Sequence, residues 1–415
     1  KLTDRLWSYR RKKDTFFQRP LVLGIIRLQR LKGHTDMNQA VNLDEMQLFR
    51  DMARRAFEKE ISPHYEQWEE DHMVPRELWN TLGAAGLLCP DVAEEYGGAG
   101  LDATAAVIVH EELSKHDPGF CLAYLAHSML FVHNFFHASS EDQKSRYLNK
   151  VLTGEWVGAM GMTEPDHGTD VLGMTTTAVR DGDHYVVNGS KTFITGGMRA
   201  NWVSTAVRTG GAGAGGVSML LIPTDAQGFS RTQLDKKQGW WASDTATLYF
   251  DNVRVPVGNL LGKENQGFLV IMTNFNSERM FMAAAMEALG RVCLEEAVNW
   301  ARERKTFGKR LADHQVIRHK IAQMKQKLNA TQAYIRVCYE SIEAGNANPG
   351  DIALLKVQAS ETMEFCAREA MQILGGIGYM RGSRVERIYR EVRVNAIGGG
   401  SEEIMRDLAA RQYGV

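Results

Sequence analysis

The chain of 415 residues is 44% hydrophobic and carries a formal charge of −1, enough apolar content to bury a large core in two or three structural units and too much for a disordered chain. So balanced a charge gives no field for holding nucleic acid or an anionic membrane. The five cysteines, Cys89, Cys121, Cys293, Cys338 and Cys366, are odd in number, far apart and set among apolar neighbours. They read as buried thiols in a reducing compartment, with neither a disulfide framework nor metal-ligand spacing.

Residues 1–43 read as a basic N-terminal extension. The first 36 hold ten Lys or Arg against Asp4, Asp14 and Asp36, a net of +7 that leaves −8 for the remainder. An Arg-rich targeting segment, an amphipathic arm for a membrane or partner, and sequence upstream of a natural start at Met37 all stay open. Membrane contact is expected only through this extension. Its run Pro20–Ile26, stopped by Arg27, comes nearest to membrane-spanning length, and no run is expected to reach the ~20 apolar residues a span requires.

Residues 44–155 are predicted to be an N-terminal helical domain, because Leu43, Met46, Phe49, Ala53 and Ala56 recur at helical spacing, as do apolar residues in 105–113 and 120–136. Near Glu155 the period becomes alternating. Thr175–Arg180, Tyr185–Val187, Thr192–Thr195, 202–207, 217–222 and 247–250 are β-rich, and Asp181-Gly182 and Asn188-Gly189 read as tight hairpin turns. Residues 156–265 are thus predicted to be an antiparallel sheet domain. Gly211-Ala-Gly-Ala-Gly-Gly216 has dinucleotide-fingerprint spacing but leads into the strand-like Val217–Ile222, whereas that fingerprint opens a helix. It reads as a flexible hairpin loop.

From 266 to 415 the pattern returns to helix, with segments 267–304, 311–345, 349–375 and 401–412 forming a four-helix bundle. The expected fold class is α+β, mostly helical. Glu278 and Arg279 stand where loop is expected to become helix, and an acid in a first turn is ordinary because exposed amides favour a negative charge there.

Met162-Thr-Glu-Pro-Asp-His-Gly-Thr-Asp170 resembles the flavin loop of the acyl-CoA dehydrogenases. Four more stretches resemble that family in order: Thr192-Phe-Ile-Thr195, Arg304–Gly308 with His314-Gln315, Gln372–Gly376, and Ile397–Met405. Together they span about residues 44–415. The resemblance implies FAD as cofactor, held by Met162, Thr163, Thr169, Phe193, Thr195, Gln372, Gly376, Ser401 and Glu403, with Arg304, Phe307 and Gln315 reaching a neighbouring subunit's FAD. It places substrate contacts at Thr169, Asn276, Arg279, Gly399 and Gly400, and requires no metal.

Most family members carry their catalytic glutamate in the last loop, where this chain has Gly399. In long-chain and isovaleryl types it comes instead from the long helix after the sheet, before an arginine, and Glu278-Arg279 stands there. Glu402 and Glu403 are the competing candidates. The implied reaction is FAD-dependent α,β-dehydrogenation of a medium- or long-chain acyl-CoA by a homotetramer, with electrons passed to an electron-transferring flavoprotein. Alternatives are an isovaleryl-type enzyme, an oxidase, or a non-catalytic scaffold of the same fold. The compartment, bacterial cytoplasm or mitochondrial matrix, stays open. Trp240-Trp241 is expected to serve core packing, and Gly398 to leave the pocket roomier than an aromatic residue would.

Overall fold

The computed structural model describes residues 37–415; the basic stretch 1–36, with the expectations attached to it, lies outside the described residues. Contacts divide the chain into one unit ending at Gln47 and a second running Leu48–Val415. Helix α1 (Met37–Glu60) supplies the described residues of the first unit and enters the second.

Five further helices precede the sheet: α2 (Tyr65–Asp71), α3 (Arg76–Ala84), α4 (Ala103–His116), α5 (Pro118–Ala138) and α6 (Glu141–Leu152). Their starts are written in the sequence. Asp102 and Asp117 accept the amides of Thr104 and Phe120, and Ser140 with Gln143 closes a capping box, each satisfying donors the first turn leaves free. Trp79 of α3 is fully buried, with Phe120 and His127 of α5 edge-on at 5.3 and 5.1 Å.

Helix α5 departs from expectation twice. Its 21 residues are long and apolar enough to cross a membrane by length and composition, because small, apolar and aromatic residues follow one another without charge. The expectation of no such run is therefore corrected, although most of this helix is buried in the protein. Residues Ala126–His133 are also π-helical.

The sheet holds β1 (Gly158–Gly161), β2 (Thr177–Asp181), β3 (His184–Thr195), β4 (Trp202–Arg208), β5 (Val217–Pro223), β6 (Phe229–Gln233), β7 (Thr245–Pro256) and β8 (Leu260–Leu261), in the order β6-β7-β3-β2-β4-β5-β8. It is mostly antiparallel; β1 pairs parallel with β4, and β2 meets β4 in parallel at one position. A Cβ on Gly158 would fall 2.0 Å from the Phe131 ring, so the bare glycine is what lets β1 lie on α5. Asp181-Gly182 does turn the chain, with Gly182 at φ +61°. Asn188-Gly189 does not: it lies inside β3 at a register shift, where the missing side chain admits Thr176. The glycine loop leads into β5 as expected, yet it is held, since Arg208 donates to the carbonyls of Gly211 and Gly213.

Then come α7 (Gly267–Glu303), a hairpin of β9 (Lys305–Thr306) and β10 (Lys309–Arg310), α8 (Gln315–Glu343), α9 (Pro349–Leu374), α10 (Arg384–Glu391) and α11 (Glu402–Gln412). The sequence reading lacked α10. Helix α7 packs on α4, α8 and α9. All five cysteines are free and buried. Trp241 is not core: it is half-buried between the guanidinium groups of Arg381 and Arg390, 4.2 and 4.0 Å from its ring, an arrangement of cation–π contacts.

Candidate active site

Glu278 lies inside α7, eleven residues past its start, so the first-turn account of an acid at this position does not apply. Its register is set from below by Asn274, one turn earlier, whose side-chain amide donates to the Met129 carbonyl in the π-helical stretch of α5. Such stretches interrupt the regular helical ladder and recur at functional sites. The Glu278 carboxylate is buried, and Met280 to Ala284 follow it into the core.

Over it runs the loop Ile397–Ser401. Gly398 N–H bonds the Val394 carbonyl at 2.8 Å, and Gly399 and Gly400 take φ of +67° and +98°, a region that favours glycine. A Cβ on Gly399 would sit 2.7 Å from Met282 Sδ and 3.8 Å from Glu278 Oε1. Bare backbone therefore covers the carboxylate, where a side chain would collide with Met282. The Arg279 guanidinium donates to the Gly399 carbonyl at 3.4 Å and lies 5.3 Å from the Phe275 ring. Lys356 of α9 donates to the Gly400 carbonyl at 2.7 Å.

Burial pushes the Glu278 carboxyl up to about 7, against the opposing charges of Arg279 and Lys356. Desolvation thus wins over the neighbouring arginine. The rival acids are committed elsewhere: Glu402 accepts from Ser360 Oγ at 2.7 Å, and exposed Glu403 is held low by its own amide and Ser401. Ser401 caps α11 through the Ile404 amide.

Profiles for the N-terminal, middle and C-terminal domains of acyl-CoA dehydrogenases match residues 43–155, 159–253 and 265–414. The long-chain specific acyl-CoA dehydrogenase of Sus scrofa mitochondria is 36% identical over 378 residues, covering 89% of this chain and 86% of that protein. The chain belongs to the acyl-CoA dehydrogenase family. Mitochondrial isovaleryl-CoA dehydrogenase of Arabidopsis thaliana is 32% identical over 401 residues, 96% of this chain and 98% of the relative. An acyl-CoA dehydrogenase structure from Geobacillus kaustophilus superposes with a TM-score of 0.87 at 35% identity, covering 89% of this chain and 98% of that one.

Acyl-CoA dehydrogenases are FAD-dependent oxidoreductases, and the residues present fit a planar ring with a polar rim. Phe193 bulges from β3 at φ +57°, 70% exposed, with Thr195 half-buried two residues on. An aromatic residue held in that conformation is strained, and such strain gathers at functional sites. Beside it the loop of Met162, Thr163 and Thr169 is fixed to β3, for Thr163 O accepts from Thr192 N at 2.8 Å and Met162 O from Lys191 at 3.1 Å. Beneath that loop lies the buried ion pair Glu164–Lys191, 2.8 Å apart.

Other family positions stand apart from Glu278. Arg304, Gln315, Gln372 and Gly376 are exposed, and Phe307, between β9 and β10, is 96% exposed. No hydrogen bond or ion pair among the described residues joins them to the Glu278 group. Asn276 is half-buried on α7. Sequence reasoning missed Lys356, Met282 and the Glu164–Lys191 pair. Lys356 had a signal: it falls at helical spacing between Ile352 and Ser360, among apolar positions of α9 that turn out buried.

Proposed function

We propose that this acyl-CoA dehydrogenase uses Glu278 as the base in forming the trans-2-enoyl-CoA from a medium- or long-chain acyl-CoA. The observation that carries the proposal is the buried carboxylate of Glu278 under the bare backbone of Gly399, with Glu402 and Glu403 tied away. Glu278 takes the proton α to the thioester carbonyl, and the double bond forms to the β-carbon as the β-hydride leaves. Bound FAD supplies the hydride acceptor. The amide of Gly399 or its neighbour polarises the carbonyl oxygen, an electrostatic role that needs donors fixed in advance.

Met162, Thr163, Thr169, Phe193 and Thr195 would hold the flavin ring, Gln372, Gly376, Ser401 and Glu403 its remaining parts. Phe307 and Arg304, projecting on their hairpin with Gln315 nearby, support a homotetramer in which each subunit completes a neighbour's site. Electrons would then pass to an electron-transferring flavoprotein. The long-chain and isovaleryl relatives frame the substrate range.

The test is anaerobic titration of the purified flavoprotein with butyryl-, isovaleryl-, octanoyl- and palmitoyl-CoA, followed by visible absorbance. Rapid bleaching by octanoyl- or palmitoyl-CoA is expected. Bleaching by isovaleryl-CoA alone assigns the branched-chain type, and no bleaching by any of the four sinks the proposal. The bleaching rate should climb with pH, with its midpoint near pH 7, because the base works as carboxylate and Glu278 titrates at about 7. A flat profile from pH 6 to 8 would contradict the assignment of Glu278.

Phe193→Asn gives a separate test of the flavin wall. Asn tolerates φ +57° and relieves strain of about 1 kcal/mol, so the FAD-free variant should resist urea at least as well as the parent while binding FAD more weakly. A less stable variant with undiminished FAD affinity would show that Phe193 is structural.

A further inference from the structure

Lys356 is a fully buried lysine that the proposed chemistry leaves unused. Burying an ammonium is costly unless it is paired and hydrogen-bonded, and this one sits on the buried face of α9 beside Ile352, Ala353, Leu355 and Val357. Its Nζ lies 2.7 Å from the Gly400 carbonyl. One turn further along α9, Ser360 Oγ donates to Glu402 at 2.7 Å. A single helix face thus grips both ends of the Gly400–Glu402 segment. From the other side, Arg279 of α7 holds the Gly399 carbonyl.

The grip has a physical reason. Three successive glycines, Gly398 to Gly400, carry no side chains with which to lock themselves, and glycine has more backbone freedom to lose than any other residue. Yet their backbone must stay over Glu278 to within a few tenths of an ångström to act as a fixed donor. External tethers at consecutive carbonyls supply that rigidity. The charge also matters: the groups facing Glu278 are Arg279 and Lys356, and those facing Lys356 are Glu402, Arg279, Glu278 and Arg393. Burial lowers the Lys356 ammonium to about 8, which leaves it mostly protonated at neutral pH.

We propose that Lys356 is a positioning residue for the dehydrogenation: its ammonium fixes the glycine loop over Glu278 through the Gly400 carbonyl and keeps a positive charge facing the base. This rests on the reading of Glu278 as base, and the test separates the two. Three variants are compared with the parent as FAD-loaded protein. Lys356→Met removes bond and charge at similar volume, Lys356→Gln keeps a donor without charge, and Lys356→Arg keeps both.

Hydrogen exchange of peptides spanning residues 397–404 reads the loop without any substrate. Bleaching by whichever of the four thioesters reduces the parent fastest, measured across pH, reads the base. In Lys356→Met, exchange should quicken by about tenfold or more, the equivalent of losing one good tether. Bleaching should slow by about 10- to 100-fold, as for a displaced catalytic group. Its pH midpoint should move upward, because a charge that holds the Glu278 carboxyl down is gone. Lys356→Gln should keep slower exchange than Lys356→Met yet show the same upward midpoint, and Lys356→Arg should recover both.

A residue that merely stabilised the fold would lower the melting temperature and leave the midpoint in place. Unchanged exchange together with an unmoved midpoint overturns the proposal, and Lys356→Gln carries that test if Lys356→Met does not fold. If Glu278→Gln bleaches at the parental rate, the base assignment is what fails, and the exchange measurement alone then decides whether Lys356 holds the loop.

Discussion

Glu278→Gln is expected to slow flavin reduction by the best thioester by two orders of magnitude or more, the usual contribution of a positioned general base, while thioester binding persists. The amide matches the carboxylate in shape, so the Gly399 loop and Met282 need not move. What it cannot do is accept a proton. Stopped-flow bleaching under anaerobic conditions measures the loss, and a variant within fivefold of the parent would eliminate Glu278 as the base. Glu402→Gln serves as the comparison and should remain near the parental rate, since a glutamine oxygen still accepts from Ser360 Oγ.

The same substitution carries a stability prediction of the opposite sign. Folding raises the Glu278 carboxyl from 4.5 to about 7, so the folded state favours the protonated acid. That contribution is complete below about pH 4.5 and is lost as pH rises through 7, because the unfolded chain ionises freely while the folded one does not. Above pH 7 the parent therefore forfeits about 3 kcal/mol relative to a neutral side chain at this position. FAD-free Glu278→Gln should be no less stable than the parent at pH 8, and more stable if Arg279 and Lys356 tolerate the missing counter-charge. A clear loss of stability at pH 8 would mean that Glu278 is held as a structural ion pair.

The helix-to-sheet-to-helix order was legible because apolar period is a long-range signal that many residues repeat. Asn188-Gly189 misled because the same dipeptide serves a hairpin turn and a bulge; which one forms depends on Thr176 approaching from a neighbouring segment, and local sequence does not carry that. The segment 267–304 matches α7, but Glu278 was read as standing where loop becomes helix although it lies eleven residues inside, for a similar reason. Asn274 and Asn276 weaken helix propensity, but Asn274 is drawn into the helix by the Met129 carbonyl, a partner 145 residues away in sequence. At the site, Glu278 and Gly399 were found together through family resemblance. Lys356 was passed over because a lone lysine in a long helix usually faces water.

Glu164→Ala should be the most destabilising single change in the sheet region. Its carboxylate accepts from Thr175 N at 2.7 Å, Thr175 Oγ1 at 2.9 Å, Thr176 N at 2.9 Å and Lys191 Nζ at 2.8 Å. Removing it strands a buried ammonium and two amides, and breaking one side of a buried pair costs about 3–5 kcal/mol. Burial alone would raise this acid, but the hydrogen bond and charge of Lys191, with Thr176 and the Thr175 amide, outweigh it and hold the carboxyl at about 2. The stability it contributes is present above about pH 4.5 and disappears as pH falls toward 2, so the parent and the variant should converge in acid. Because the same carboxylate fixes the loop of Met162, Thr163 and Thr169, FAD affinity should fall with stability. Pairing Glu164→Leu with Lys191→Met removes both charges and should recover much of the loss, as buried pairs replaced by apolar groups often do. Urea unfolding of the FAD-free proteins at pH 7 measures the whole cycle. If Glu164→Ala unfolds at the parental urea concentration, the pair is not what holds the flavin loop to β3, and its weakening of FAD binding would have to come from the loop's own backbone.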